Sequence, residues 1–132
     1  MRGITVLAAS VALCAGALAH PSTAKAEFIS GNKLYRYCTG TESAFSQTVQ
    51  SAMCLAYIQG AHDGLEASGT FLTIKFELDN PMKVVCVPDG VETSQLQEIV
   101  TKYLRENPAD RNLSASLLVL FALRTSYPCS VD

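Results

Sequence analysis

Residues 94–126, SQLQEIVTKYLRENPADRNLSASLLVLFALRTS, decide the fold. Leu96, Ile99, Val100, Tyr103 and Leu104 recur at the spacing of one helix face, Ser94 and Gln97 are set as a capping box, and Asn107-Pro108 is a stop. From about Ser114 to Ser126 a second helix is apolar almost all round through Leu117, Leu118, Leu120, Phe121 and Leu123, as befits the centre of a bundle. Tyr127-Pro128 ends it. Only Pro108 to Leu113 join the two helices, so they lie antiparallel.

Upstream, Ser30 caps a short helix carrying Leu34, Tyr35 and Cys38, which Gly40 ends. A longer helix runs from about Ser46 to Ala67, with Cys54, Ile58, Ala61 and Leu65 on one face and a small-residue stripe, Ala52, Ala56, Gly60 and Gly64, that would let a neighbouring helix approach closely. The alternative is a break at one of the glycines. Beyond it Leu72, Ile74, Phe76 and Leu78 alternate with polar residues, Asn80-Pro81 turns the chain, and Lys83 to Val87 pair back. The expected fold is therefore mainly α: a small disulfide-bridged bundle of about four helices, with a short β-hairpin between Phe71 and Val87.

Arg2, the apolar run Ile4 to Leu18 and the small-x-small triplet Ala24-Lys25-Ala26 make residues 1–26 a cleavable signal peptide, cut before Glu27; Ala17-Leu18-Ala19 is a second, less suitable cut. A membrane span needs about 20 apolar residues, more than either this run or Leu117 to Leu123 supplies. Cys14 follows Leu13, where lipid attachment requires a small residue, and leaves with the leader. The mature domain is residues 27–132, 106 residues with 8 basic and 12 acidic side chains once Arg2 and Lys25 are removed, a net charge of −4. Nucleic acid and anionic membrane both require clustered Lys and Arg, so neither is expected as a partner.

Four cysteines remain: Cys38, Cys54, Cys86 and Cys129. Behind a signal peptide they are structural bridges in an oxidising compartment, and four allow three pairings. Cys86 precedes and Cys129 follows the antiparallel pair, so both reach its same end. This favours Cys86 with Cys129 and leaves Cys38 with Cys54. Metal binding or thiol chemistry is disfavoured, because there is no CxxC and the mature chain has a single histidine. That histidine, His62, precedes Asp63 in a helix, where neighbours point to different faces, and no nucleophile motif accompanies it. No catalytic residue, metal site or cofactor is expected. Asn112-Leu113-Ser114 matches a glycosylation sequon, a pattern common by chance. Tyr57, Tyr103, Phe121 and Tyr127 are assigned to the core.

Ser30-Gly31-Asn32 with Leu34 and Cys38, Cys54-Leu55-Ala56-Tyr57-Ile58-Gln59-Gly60 with Asp63, and Cys86-Val87-Pro88-Asp89-Gly90-Val91 follow one another in a familiar order. With Gln95-Leu96, Tyr103-Leu104, Pro108, and Ala122-Leu123 before Tyr127-Pro128-Cys129, the chain resembles the Rap/Tai immunity family across its mature length. The resemblance implies a helical periplasmic protein of a Gram-negative bacterium. Such a protein protects its cell by binding and blocking a cell-wall amidase delivered by type VI secretion, commonly as a homodimer and without chemistry of its own. Two departures stand out: Tyr127 where members more often have Phe, and a variable stretch between Gly64 and Cys86. A cleft-plugging loop would lie in that stretch, and Glu66, Glu77 and Asp79 are its candidate contacts with a basic toxin. The alternative is a housekeeping periplasmic protein, chaperone-like, with no toxin.

Overall fold

The computed structural model describes residues 28–40 and 44–130; the leader expected over residues 1–26 lies outside them. Among the described residues the chain forms α1 (Gly31–Thr39), α2 (Ala44–Lys75), α3 (Thr93–Glu106), a 3-10 turn (Pro108–Asp110) and α4 (Ala115–Ser126). Each of the four helices packs against the other three. The core they enclose centres on Leu34, Ile58, Val100, Leu104, Leu118 and Leu123, all fully buried.

Local chemistry sets most boundaries. Ser30 accepts a hydrogen bond from the Lys33 amide at the start of α1, and Gly40, left-handed at φ 48°, closes it with its amide on the Arg36 carbonyl. The expected capping box does not form. α3 begins two residues earlier, with Glu92 rather than Ser94 as its N-cap, and the Ser94 hydroxyl donates instead to the Glu92 carboxylate at 3.2 Å. In α4 the buried residues are Ala115, Leu118, Val119, Ala122 and Leu123. Leu117 and Phe121, expected in the core, are 37% and 38% exposed because a helix resting on its neighbours keeps one flank outward. Tyr57, Tyr103 and Tyr127 do pack against the core.

The start of α1 is stitched to the α3–α4 connection. Gly31 and Asn32 amides donate to the Leu113 and Arg111 carbonyls at 2.9 and 2.7 Å, and the Ala115 amide to Ile29 at 2.8 Å. Arg111 closes the knot: its guanidinium lies 3.8 Å from the Tyr35 ring centroid, and its Nε donates to the Leu104 carbonyl at 2.6 Å. Disulfides join Cys38 to Cys54, tying α1 to α2, and Cys86 to Cys129, tying the approach to α3 to the chain after α4.

The departure from expectation is in α2. It does not end near Ala67 or break at Gly60 or Gly64, but runs to Lys75, and no strand forms between Phe71 and Val87. Extending an existing helix adds one hydrogen bond for each residue fixed, whereas a two-stranded hairpin has to close unaided; Leu72 and Ile74 alternate on paper, yet Ala67, Phe71 and Ile74 also satisfy helical steps. Residues 81–85, without regular secondary structure, return along the helix as a strap. The Met82 amide donates to the Thr73 hydroxyl at 2.8 Å, and the missing side chain of Gly69 makes room for the Met82 carbonyl. At 32 residues α2 is roughly 48 Å long against roughly 18 Å for α4, so it outruns the bundle. Gly60 and Gly64 each cost about 1 kcal/mol in helix propensity, and a side chain built at either meets nothing within 4 Å. The close-packed neighbour expected over this stripe is absent from the single chain.

α2 ends in a Schellman turn: the Leu78 amide donates to the Thr73 carbonyl at 3.0 Å and the Glu77 amide to Ile74 at 3.4 Å. The residue at the turn's left-handed position is Glu77, at φ 51°, where glycine is preferred. Glu77→Gly is expected to raise stability by roughly 1 kcal/mol, or about 4–8 °C in Tm. A thermal melt with unchanged or lower Tm would contradict the strain argument.

Candidate partner-binding surface

The described residues contain no group of three or more His, Cys, Asp or Glu side chains able to hold a metal ion. His62 has its Nδ1 3.9 Å from Asp63 Oδ1, beyond hydrogen-bond range, and its Nε2 is buried without a partner. Asp63 therefore does not orient the imidazole through a hydrogen bond.

What the chain offers outward is an apolar promontory. Along the last turns of α2 and the chain that follows it, Phe71, Ile74 and Phe76 are 64%, 72% and 63% exposed, and Leu78, Met82 and Val84 are exposed as well. Large apolar side chains crowded onto one projecting element mark an interaction surface. The geometry follows from the Schellman turn, which throws Phe76 and Leu78 off the helix end, and from the Thr73 anchor, which holds the strap alongside.

The three candidate acidic residues fall unequally on this surface. Glu77 and Asp79 sit together in the turn, exposed, and neither enters an ion pair among the described residues. Glu66 is also exposed but lies eleven residues before Glu77, roughly 16 Å back along the helix. The turn thus pairs two carboxylates with Phe76 and Leu78 at one point, and Glu66 stands apart from it. The sequence reading missed the apolar partners because it buried Ile74, Phe76 and Leu78 in a hairpin. The helical step Ala67, Phe71, Ile74 was the signal that would have found the first of them.

Tyr37, Cys38, Thr39, Gly40, Gln47 and Ser51 line one open hollow beside the first disulfide. No described helix is long and apolar enough to cross a membrane.

A family model described as Rap1a immunity proteins matches residues 30–129, 100 of the chain's 132 residues. No significant match exists among curated proteins or solved structures.

Proposed function

Because the chain belongs to the Rap1a immunity protein family, and is thereby an immunity protein whose partner is a secreted effector, we propose that it is a periplasmic antidote. It binds and blocks a peptidoglycan amidase delivered by type VI secretion, acts stoichiometrically rather than catalytically, and works as a homodimer after loss of residues 1–26. The observation that supports an antidote role is the family match over residues 30–129. Two bridges, Cys38–Cys54 and Cys86–Cys129, suit an oxidising compartment.

The inhibitory contact is assigned to the Phe76–Asp79 turn. Phe76 and Leu78 supply an apolar anchor, and Glu77 and Asp79 supply charge for a basic rim around the amidase cleft, with Glu66 at most peripheral. The test is hydrolysis of peptidoglycan by any amidase encoded beside this gene, titrated with the purified chain. Inhibition should be complete near one equivalent, and Phe76→Asp with Asp79→Lys should weaken binding at least 100-fold by calorimetry while leaving Tm within a few degrees. Full amidase activity at a tenfold excess of the unaltered chain would reject the antidote assignment. The exposed apolar turn would equally serve the alternative, a chaperone-like protein. Suppression of aggregation of unrelated unfolded proteins at low pH, without amidase binding, would favour that one.

A further inference from the structure

From Ser68 to Val84 only Gly69 is buried, and Leu72 and Thr73 are half-buried. The bundle core therefore does not shape the promontory, and its form rests on local bonds. Thr73 gathers them. Its hydroxyl donates to the Gly69 carbonyl at 2.8 Å and accepts from the Met82 amide at 2.8 Å, so one oxygen serves both the helix and the returning strap. Its carbonyl accepts from the Leu78 amide at 3.0 Å, a bond that closes the turn. Thr73 thus fastens the Phe76–Asp79 turn twice, where the helix ends and where the strap returns.

The bond back along the helix is ordinary by itself. Ser68, Thr70 and Thr125 each donate to the carbonyl four residues earlier, as hydroxyls on helices do. Of these four side chains only Thr73 also accepts an amide from another segment. Gly69 completes the clasp, because a Cβ there would fall on the Met82 carbonyl. Met82 is thereby fixed through both its amide and its carbonyl, and the next fixed point is Val85, buried in the core.

Thr73 and Met82 stand nine apart in sequence, and the exposed Phe76, Glu77, Leu78 and Asp79 lie between them. A loop that must order itself on meeting a partner loses affinity for it, whereas one already ordered does not. We propose that Thr73 is a positioning residue for the toxin contact, its hydroxyl clasping the strap so that the turn is held in its binding shape before the toxin arrives. The proposal rests on the assignment of the inhibitory contact to that turn. Within the chain the hydroxyl is engaged as both donor and acceptor, so Thr73 acts through the turn and not by touching the toxin. Its loss should weaken binding about tenfold, the size of one neutral hydrogen bond expressed as an equilibrium constant.

Thr73→Val keeps the branched shape and removes the hydroxyl, while Thr73→Ser keeps the hydroxyl. Without toxin, amide hydrogen exchange of Met82 followed by NMR should quicken about tenfold in Thr73→Val and stay slow in Thr73→Ser, with the Val100 and Leu104 amides changing much less. Against an amidase encoded beside this gene, Thr73→Val should weaken binding about tenfold by calorimetry, and Thr73→Ser should bind within about threefold of the unaltered chain. Gly69→Ala, which displaces Met82 from the other side, should weaken binding likewise. In the Phe76→Asp, Asp79→Lys background Thr73→Val should add nothing further, since no contact remains to be positioned. Equally fast Met82 exchange in all three chains overturns the clasp. A Thr73→Val chain that binds as tightly as the unaltered one, or a full tenfold loss in the doubly substituted background, overturns the positioning role and leaves the antidote reading standing. Failure of the unaltered chain to inhibit any such amidase rejects that reading and the role together.

Discussion

Replacing Cys86 and Cys129 together by alanine should lower the stability of the domain by about 4 kcal/mol, the largest loss expected from any change away from the core. The bridge spans 43 residues of sequence, and freeing a loop of that size returns about this much entropy to the unfolded chain. A domain of this length holds only about 5–15 kcal/mol in total, so Tm should fall by 15 °C or more. Because the effect acts on the unfolded state, urea unfolding should show a larger m-value as well as a lower midpoint. The Cys86 amide bonds the Tyr127 carbonyl at 3.0 Å in the folded state, and that contact survives the substitution. A lower midpoint with an unchanged m-value would instead point to lost native packing. The Cys38–Cys54 loop, of sequence separation 16, should cost about 3 kcal/mol by the same reasoning.

Gly31→Ala should destabilise nearly as much, by about 2–3 kcal/mol, although it adds one methyl group. Gly31 is buried in the first turn of α1, and a Cβ there falls onto Leu118 of α4 and lies 3.0 Å from the Arg111 backbone. The Leu118 side chain is fully buried, and the Arg111 backbone is held by the Asn32 amide bond, so neither neighbour can give way cheaply. The Gly31 and Asn32 amide bonds to the α3–α4 connection would be stretched together. Gly60→Ala is the internal control: with nothing within 4 Å of its Cβ, it should gain up to about 1 kcal/mol of helix propensity. Chemical denaturation of the two variants should therefore give shifts of opposite sign. Equal shifts would mean that propensity, and not the close approach at Gly31, governs these positions.

The two ends of the chain were legible because their signals are local. Ser30 and Gly40 bracket α1 with cap chemistry, and the apolar steps from Leu96 to Leu104 and the near-continuous run from Leu117 to Leu123 each admit one structure. Burial within α4 was less so, since a helix apolar all round does not announce which flank its neighbours cover; Leu117 and Phe121 stayed partly outside. The middle of the chain misled for a different reason. Thr70 to Leu78 is rich in β-branched and aromatic residues with a period of two, but the helix already running through Leu65 carried on into it. That error also hid the surface: residues given a half-buried strand's interior are the ones left exposed. The acidic pair Glu77 and Asp79 was read as the polar side of a strand and lies instead in the turn that ends α2, while Glu66 shares its charge but not its place.

The two bridges have a further consequence that depends on where they do not run. Cys38–Cys54 lies wholly within the first two helices, and Cys86–Cys129 wholly within the remainder. No covalent bond but the peptide backbone crosses from one part to the other, and it crosses through the exposed stretch from Phe76 to Val84. A single proteolytic cut there leaves two separate polypeptides, each closed on itself, held by the core that Cys54, Ile58 and Leu34 share with Val100, Leu104 and Leu118 and by the hydrogen bonds and the Arg111–Tyr35 contact that stitch α1 to the α3–α4 connection. Covalently, the protein is two hoops joined by a thread, and the thread is the part it holds out to its surroundings.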